Sequence, residues 1–383
     1  MSTNKEVASI FVSLDGCNKK GDGSIDRPYQ TLDHAQAVVV PGQTVYFREG
    51  VYNIELTDLG VIYSKGTKDN WITFANYENE KVIFDGGGRS MLISSFNSLI
   101  TLYKSEYVII DGFEVRNLWG HGITNFDTYN TIVRNCKIHN FHGRGLGGHG
   151  QYNTYEYNEV FHTCMANEGA PVDGGWSSAL ATINRPGFVH STHIVMRGNR
   201  VYESWGEGIN TFLAKHVLMV DNEARDNYSV NMYCDTSTHV IMENNLITSK
   251  NIKYYRDGSP AAGIQISNEG TKTTARVKPY PCAEEIIIRN NVIDGAAEGI
   301  AYWEDKNNTW ESNTYRNISI HNNTFKNIWD YDIHINRVSM PNVPPPQNAK
   351  AYDNILSGAD KRLLIGNPEA WELTNNIPCG ANQ

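Results

Sequence analysis

The sequence predicts an all-β chain folded as one parallel β-helix, a solenoid in which each coil stacks on the next. A short strand-like segment recurs along the chain, and its equivalent positions are repeatedly 23 residues apart, as from 199 to 222 and from 222 to 245. The segments alternate apolar and polar residues, which is the period of a strand and not of a helix. A repeat of this length built from strands alone is typical of a β-helix.

The recurring segment has the form apolar-x-apolar-x-x-Asn. The intervals of 23 residues run from 112 to 135, 135 to 158, 199 to 222 and 222 to 245, whereas 158 to 199 spans 41 and 245 to 291 spans 46. Asn tolerates the left-handed conformation of a tight corner, and stacked Asn amides can hydrogen-bond along the axis, so we assign the column a structural role. Its members are Gly112 (in place of Asn), Asn135, Asn158, Asn199, Asn222, Asn245, Asn291, Asn323 and Asn354.

Alternation within these segments predicts which side chains fill the core, because successive residues of a strand point to opposite faces. We expect an inward set made of Val108, Ile194, Val217, Val240, Ile286 and Ile318 with Met196, Met219, Met242 and Ile288. Their strand neighbours are expected to face outward: Ile109, Ile132, Val195, Leu218, Ile241, Ile287 and Ser319.

The N-terminal region carries a more specific pattern. A Gly/Asp-rich loop leads to Pro28–Leu32 (PYQTL), a short helix is predicted near Thr31–Val38, and Pro41–Val45 (PGQTV) and Gly50–Tyr52 (GVY) follow. This order resembles the opening of right-handed parallel β-helix proteins of the pectin-lyase-like superfamily. The resemblance implies a right-handed solenoid whose open end is capped by this helix, which protects an unpaired sheet edge.

The resemblance covers most of the chain as fold, and we therefore treat residues 1–383 as a single β-helix domain. Residues 1–60 are assigned to the N-terminal cap, and 163–191 and 249–283 to inserted loops that wall a groove. The Arg-x-x-Pro-x-x-Arg pattern of pectate lyases and the Asn-Thr-Asp signature of polygalacturonase-like hydrolases are both missing from the sequence. The resemblance therefore identifies no single enzyme family.

Composition narrows the class of partner. Lys and Arg total 33 against 42 Asp and Glu, which gives 33 − 42 = −9 and argues against non-specific nucleic-acid binding. No apolar run has the length of a membrane span. The first residues show no signal-peptide pattern. Polymers of the kind handled by such proteins are met outside the cell, so we nevertheless expect secretion or display at the cell surface.

A β-helix turns one sheet outward as a long groove suited to an extended polysaccharide or oligosaccharide. Aligning the second strand of each coil gives one outward column: Thr124, Gly147, Ala181, Asn210, Asn231, Gln265, Ala301 and His334. Amides hydrogen-bond sugar hydroxyls, aromatic rings stack on pyranose faces, and basic residues in the loops can meet a carboxylate. The predicted substrate-binding set is Arg144, Trp176, Asn210, Lys215, Asn231, Asp235, Arg256 and Gln265.

Four residues are the candidate catalytic groups. A lyase acting on uronates needs a group that neutralises the carboxylate, a base for the C5 proton and an acid for the leaving oxygen, and His149, Arg185 and Tyr233 are the best-placed set. A glycosidase needs two carboxyl groups, and Glu207 could act with Asp235 or Glu203. No tight Asp cluster predicts a metal site, although a calcium ion held by Glu207 and Asp235 stays open.

Three classes of function remain at this point. The first is a polysaccharide lyase that cleaves an extracellular, uronate-containing polymer by β-elimination, with an epimerase as a variant of the same chemistry. The second is a glycoside hydrolase or transglycosidase that uses Glu207 with a second carboxylate. The third is a non-catalytic polysaccharide-binding or tailspike-like protein.

Overall fold

A computed structural model describes residues 8–53, 60–89, 97–171, 176–184, 189–269, 283–304, 313–336, 338, 343–358 and 362–379. Almost all of the regular structure in this part of the chain is strand, and every strand pairs in parallel with strands of the neighbouring coils. Each coil contributes one strand to each of three sheets, which we call sheets I, II and III. The predicted parallel β-helix is confirmed.

Sheet I forms the face on which the candidate site lies. Its strands are β4 (Gly60–Ile62), β7 (Ser98–Tyr103), the first part of β10 (His121–Arg134), β12 (Leu146–Gln151), β15 (Ser178–Ile183), β18 (Glu207–Phe212), β21 (Val230–Asp235), β24 (Ala262–Asn268), β27 (Ile300–Glu304), β30 (Ile333–Ile335) and β33 (Leu363–Ile365). Strands β15 and β24 fall within the ranges 163–191 and 249–283, so each of these segments contains a strand of the solenoid as well as loop residues.

Sheet II follows sheet I in each coil and is joined to it through the long strand β10. Its strands are β1 (Ile10–Val12), β2 (Thr44–Phe47), β5 (Ile72–Asn76), β8 (Glu106–Asp111), the last part of β10, β13 (Thr154–Glu156), β16 (Thr192–Arg197), β19 (Lys215–Val220), β22 (Thr238–Glu243), β25 (Ala283–Arg289), β28 (Tyr315–His321), β31 (Ala349–Tyr352) and β34 (Trp371–Thr374).

Sheet III closes each coil. Its strands are β3 (Gly50–Asn53), β6 (Val82–Arg89), β9 (Glu114–Leu118), β11 (Lys137–Phe141), β14 (Glu159–Phe161), β17 (Arg200–Tyr202), β20 (Glu223–Arg225), β23 (Leu246–Thr248), β26 (Val292–Asp294), β29 (Thr324–Lys326), β32 (Ile355–Leu356) and β35 (Ile377–Pro378).

The α-helix of the described chain, α1 (Leu32–Val38), lies at the N-terminal end of the solenoid. Thr31 caps it by accepting a hydrogen bond from the backbone N–H of His34 at 3.2 Å. Ala35 is fully buried in the core, and the Gln36 side chain donates to the carbonyl of Val61, in the edge strand β4, at 2.6 Å. Short 3₁₀ helices in the described residues lie at Met165–Asn167, Ile252–Tyr254 and Pro368–Ala370. None of the helices in the described ranges is long and apolar enough to cross a lipid bilayer.

The predicted core is confirmed. All ten residues of the predicted inward set are buried, and they line the interior of sheet II in register, with Ile194, Val217 and Val240 on successive coils. The seven residues predicted to face outward are each partly exposed. The solenoid therefore has one continuous apolar core along its axis.

The Asn column forms a continuous hydrogen-bonded ladder. The side-chain amide of Asn199 donates to Asn222 Oδ1 at 3.1 Å, and that of Asn222 donates to Asn245 Oδ1 at 3.0 Å. The same contact links each successive pair in the series Asn158, Asn199, Asn222, Asn245, Asn291, Asn323, Asn354 and Asn376, of which all but the partly exposed Asn376 are buried. These amides satisfy backbone groups at a buried corner, which accounts for their recurrence.

The first members of the predicted column are displaced by one residue. Strand pairing aligns Arg134 with Glu156, so Cys136 occupies the ladder position next to Asn158, and Asn135 lies before it. Asn135 has φ 54° and Gly112 has φ 79°, so both belong to the neighbouring left-handed corner column. Sequence spacing misled here because both columns are rich in Asn and lie side by side.

We expect Asn222→Ala to destabilise the fold strongly. Asn222 Oδ1 accepts hydrogen bonds from the backbone N–H and the side-chain amide of Asn199, and truncation leaves both buried donors without a partner. At about 1–3 kcal/mol for each orphaned group, the free energy of unfolding should fall by roughly 2–6 kcal/mol in chemical denaturation. The control Asn244→Asp lies in the exposed corner column, where Asp221 already occurs, and should be nearly neutral.

Candidate functional site

The candidate site lies on the outer face of sheet I, where β15, β18, β21 and β24 are consecutive. The register pairs Ala181 with Asn210, Asn210 with Tyr233, and Tyr233 with Gln265. The expected partner of Asn210 was Asn231, and this part of the predicted alignment is wrong by two residues. Tyr233 therefore takes the position assigned to Asn231, with Asn210 and Gln265 on either side.

Asn231 lies at a corner and not in the groove. It is fully buried, its Oδ1 accepts from Asn227, and its amide donates to Ser249 Oγ at 2.9 Å. Asn231 is level with Gly208 of the preceding coil, where an added Cβ would come within 2.3 Å of the Asn231 carbonyl oxygen. Because the two backbones approach so closely, position 208 requires Gly. On the next coil, the Asn231 side chain hydrogen-bonds the polar groups of the corner.

Glu207 begins β18, and its side chain meets that of Asn210 on the same strand. Its Oε2 accepts hydrogen bonds from Ser178 Oγ at 2.6 Å and from the Asn210 amide at 2.5 Å. Burial raises the pKa of Glu207 to about 7, the hydrogen bond from Ser178 opposes that rise, and the negative charge of Glu269 adds to it. Both hydrogen bonds go to one oxygen, so Oε1 is the atom that can carry the proton.

A second group of acids lies on the next two coils. Tyr233 OH is 2.6 Å from Glu269 Oε1 and 2.8 Å from Ser267 Oγ, so it holds the Glu269 carboxylate at the end of β24. Asp235 Oδ1 accepts from Thr236 Oγ1 at 2.7 Å and from Ser267 Oγ at 3.1 Å. One hydrogen-bonded network thus joins both carboxyl groups to Tyr233.

The two acids of this network differ in exposure and in charge. Asp235 is 5% exposed, whereas Glu269 is partly open to the groove. Burial, followed by the charge of Glu269, raises the pKa of Asp235 well above its usual range. Two neighbouring carboxyl groups cannot both ionise readily, and burial favours the proton on Asp235 over the more exposed Glu269. Burial also raises the pKa of Tyr233, which therefore stays a neutral hydrogen-bond donor.

Arg144 lies in the same outward column as Ser178 and Glu207, two coils toward the N-terminus. It is half-buried, and its positive charge opposes the rise in the pKa of Glu207 that burial causes. Its backbone N–H donates to His121 Nδ1 at 2.7 Å, which fixes the chain there. Arg144 is thus placed to act on the site electrostatically.

An aromatic wall borders Glu207 at the corner that precedes sheet I. It consists of Trp176, Trp205, Tyr228 and Tyr254. The Arg256 guanidinium lies 5.2 Å from the centre of the Trp176 ring, and the rings of Trp176 and Tyr228 are 6.0 Å apart. The structure thus brings the predicted residues Trp176 and Arg256 together beside the groove.

The remaining predicted residues fall in different places. His149 is 1% exposed and its ring stacks on Phe126, with centres 5.8 Å apart, so it is part of the packed floor. Lys215 begins β19 in sheet II and is exposed there, away from the outer face of sheet I. Arg185 lies outside the described residues. Glu203 contacts His162 and Arg225 at the end of β17 in sheet III and is not a partner of Glu207.

Sequence reasoning missed Ser178, Ser267 and Glu269. The sequence did contain a signal for the last two. Gln265, Ser267 and Glu269 are every second residue, so they are expected on the same face of a strand. Glu269 had been taken as part of an inserted loop. Ser178 offers no signal of its own, because its role depends on its pairing with Glu207.

A calcium ion held by Glu207 and Asp235 does not fit this arrangement. The contacting oxygens of both carboxyl groups accept hydrogen bonds from hydroxyl or amide groups. Across the ranges that the structure describes, no group of three or more His, Cys, Asp or Glu side chains is placed to hold a metal ion.

Comparison with known proteins places the chain in a family. A family model described as "Pel9A-like, right handed beta helix region" matches residues 10–336. The chain belongs to this family. The resemblance to right-handed β-helix proteins of the pectin-lyase-like superfamily is thereby confirmed, as is the handedness of the solenoid.

Individual relatives are distant. YwoF of Bacillus subtilis (strain 168), an uncharacterized protein, is 32% identical over 110 residues, which span 28% of this chain and only 22% of YwoF. The crystal structure of pectate lyase Pel9A superposes with a TM-score of 0.55 at 13% identity, covering 98% of this chain and 77% of that one. The GH136 lacto-N-biosidase from Eubacterium ramulus gives 0.51 at 13% identity, covering 97% and 67%.

At these identities the structural likeness establishes the fold alone. Proteins that share the fold include a pectate lyase, a rhamnogalacturonan lyase, a mannuronan C-5 epimerase, a GH136 lacto-N-biosidase and a tailspike protein. The chain thus shares a fold on which reaction and substrate vary from protein to protein.

Proposed function

We propose that the protein is a glycoside hydrolase or transglycosidase that cleaves a glycan lying along the groove of sheet I. The proposal rests on one observation: two partly exposed carboxyl groups, one with a raised pKa and one held by a tyrosine hydroxyl, lie two coils apart on the same face, close enough that the charge of one raises the pKa of the other. These are Glu207 and Glu269. Glycosidases use such a pair, an acid and a carboxylate, on opposite sides of the scissile bond.

Glu207 would act as the general acid. Its Oε1 proton passes to the glycosidic oxygen as the bond from that oxygen to the anomeric carbon breaks, so the leaving sugar departs as a neutral alcohol. The hydrogen bonds from Ser178 and Asn210 to Oε2 fix the carboxyl group and stabilise the negative charge that this step leaves on it.

Glu269 would act on the anomeric carbon. Its carboxylate either attacks that carbon, forming a glycosyl-enzyme ester that water later hydrolyses, or removes a proton from the attacking water. Tyr233 orients the carboxylate, and neutral Asp235 behind it adds no second charge. Transfer of the ester to a sugar hydroxyl instead of water gives transglycosylation.

The second candidate is β-elimination on a uronate polymer, as first inferred from the sequence. Membership of the Pel9A-like family and the likeness to a pectate lyase favour it. The acids disfavour it, because a uronate carboxylate would lie next to the charged Glu269 and would further oppose ionisation of Glu207 and Asp235, whose pKa values are already raised.

Product analysis separates these reactions. The protein is incubated with neutral polysaccharides and with uronate polymers, and both reducing ends and ultraviolet absorbance of unsaturated sugars are followed. We expect new reducing ends without unsaturated product. Unsaturated product would establish the lyase reaction instead, and binding without either product would leave a non-catalytic protein.

We expect kcat/KM to fall as the pH rises through about 7. Glu207 must be protonated to donate its proton, and burial raises its pKa from the usual carboxyl range to about 7, so the active form is present below that pH and lost above it. The profile is measured on a substrate with an alcohol leaving group. With a dinitrophenyl leaving group, which needs no proton, the same limb should flatten; a limb that persists would assign it to another residue.

A further inference from the structure

In the outward column of sheet I that contains Asp235, a solvent-exposed side chain lies two coils further along the solenoid. In this column Ile183 and Asp235 are each 5% exposed and Ser267 is fully buried, whereas Trp303, which pairs with Ser267, is 42% exposed. Its neighbour Tyr302 points into the core and is 2% exposed, so the indole of Trp303 lies on the outer face. An indole of this size left open on a groove floor is a binding platform for a flat apolar face.

Two polar side chains flank Trp303 on the same face. Gln265 and His334 pair with Ala301 from the coils on either side, and Ala301 is two residues from Trp303 on one strand. Diagonal neighbours of this kind lie about 7–8 Å apart, within reach of a large aromatic side chain. Both are partly exposed, and the Gln265 amide makes no hydrogen bond to another described residue.

His334 is held in a fixed orientation. Its Nδ1 contacts the Glu298 carboxylate, which leaves Nε2 on the other edge of the ring. The carboxylate thus orients the imidazole as a polar partner in the groove. An apolar platform with an amide on one side and an oriented imidazole on the other can recognise a sugar, whose ring offers an apolar face and peripheral hydroxyls.

We propose that Gln265, Trp303 and His334 form a distal sugar-binding subsite, which engages an oligosaccharide two sugar units from the reacting one. The assignment of the reacting unit rests on the proposed function. The coil of Asp235 lies between the coils of the reacting pair, Glu207 and Glu269. Successive coils are about 4.8 Å apart, so Trp303 lies about 10 Å along the axis from this middle coil. Each pyranose unit lengthens a glycan chain by about the spacing of one coil, so each coil meets about one sugar.

The subsite predicts that chain length governs turnover. In Trp303→Ala, kcat/KM for a tetrasaccharide or longer substrate should fall about tenfold or more, chiefly through KM, because a platform binds substrate and transition state alike. Aryl monosaccharide glycosides, which do not reach Trp303, should be turned over as by the unchanged protein. Trp303→Phe should restore most of the affinity. Tyr157→Ala removes an exposed aromatic at the corner before sheet III and serves as the control.

A binding measurement keeps the subsite separable from the reaction. Titration calorimetry on Glu207→Gln uses xylo-, gluco- and galacto-oligosaccharides and oligogalacturonates, from disaccharide to hexasaccharide, with and without Trp303→Ala. Affinity that grows up to the tetrasaccharide and is lost with Trp303 supports the subsite, even where the unchanged protein releases no product and the hydrolase proposal fails. Equal affinity in the two variants, or no binding of any of these sugars, overturns it.

Discussion

Replacing Glu207 by Gln should lower turnover of alcohol-leaving substrates by about 10²–10⁴-fold, the usual contribution of a positioned acid. Gln keeps the size of the side chain and an oxygen that can accept from Ser178 and Asn210, so the groove should be unchanged. Only the transferable proton is lost. Initial rates are measured alongside the thermal unfolding midpoint, which should not fall.

The matched control is Glu203→Gln, which changes a glutamate bound to His162 and Arg225 outside the groove. It should leave turnover unchanged. A different set of results would support the lyase reaction instead. In that case Glu207→Gln would keep full activity, Tyr233→Phe or His149→Ala would lose it, and the product would be unsaturated. Dinitrophenyl substrates should largely rescue Glu207→Gln, since their leaving group needs no proton.

The fold was predictable because a solenoid repeats its physical requirements. Every coil needs inward apolar residues in sheet II and a corner Asn that satisfies buried backbone groups, so the same pattern returns at Asn199, Asn222 and Asn245. Errors arose where two columns share a residue type. Asn135 lies in the left-handed column beside the ladder, and spacing alone could not separate the two.

The site was less predictable because it depends on register between coils. The segment Val-Asn-Met-Tyr in β21 was aligned two residues out of register. The error placed Asn231 beside Asn210, where Tyr233 lies. A shift of two residues keeps the inside/outside alternation, so hydrophobic pattern cannot detect it. The distinction lies in the Asn231 contacts with Asn227 and Ser249, which are visible only in three dimensions.

The acids illustrate the same limit. Glu207 and Asp235 were identified because a glycosidase needs two carboxyl groups on one face, but their pKa values depend on burial and on Glu269. No sequence pattern states that one carboxyl group of a pair is buried and the other partly exposed. That difference in burial decides which of Asp235 and Glu269 holds a proton more readily, and substitution of each acid tests it.

We expect Glu269→Gln and Asp235→Asn to have very different effects, although both replace an acid by its amide in one network. Glu269 is partly exposed and carries the charge, so Glu269→Gln removes the nucleophile or base and should cost about 10²–10⁴-fold in turnover. Asp235 is buried and its pKa is raised, so Asp235→Asn mimics the form that burial favours and should cost less than about tenfold.

Stability gives Asp235→Asn a second readout with a defined sign. Because the folded-state pKa of Asp235 is raised, its contribution to stability is fully present below the ordinary Asp pKa and is lost as the pH rises above it. Asn does not titrate, so the variant should lose this pH dependence and unfold at the same or a higher temperature near neutral pH. Small nucleophiles such as azide should restore turnover to Glu269→Ala, which a merely structural glutamate would not allow. If Asp235→Asn is the inactive variant and Glu269→Gln the active one, the buried acid is the reacting group, and the roles assigned to the pair must be exchanged.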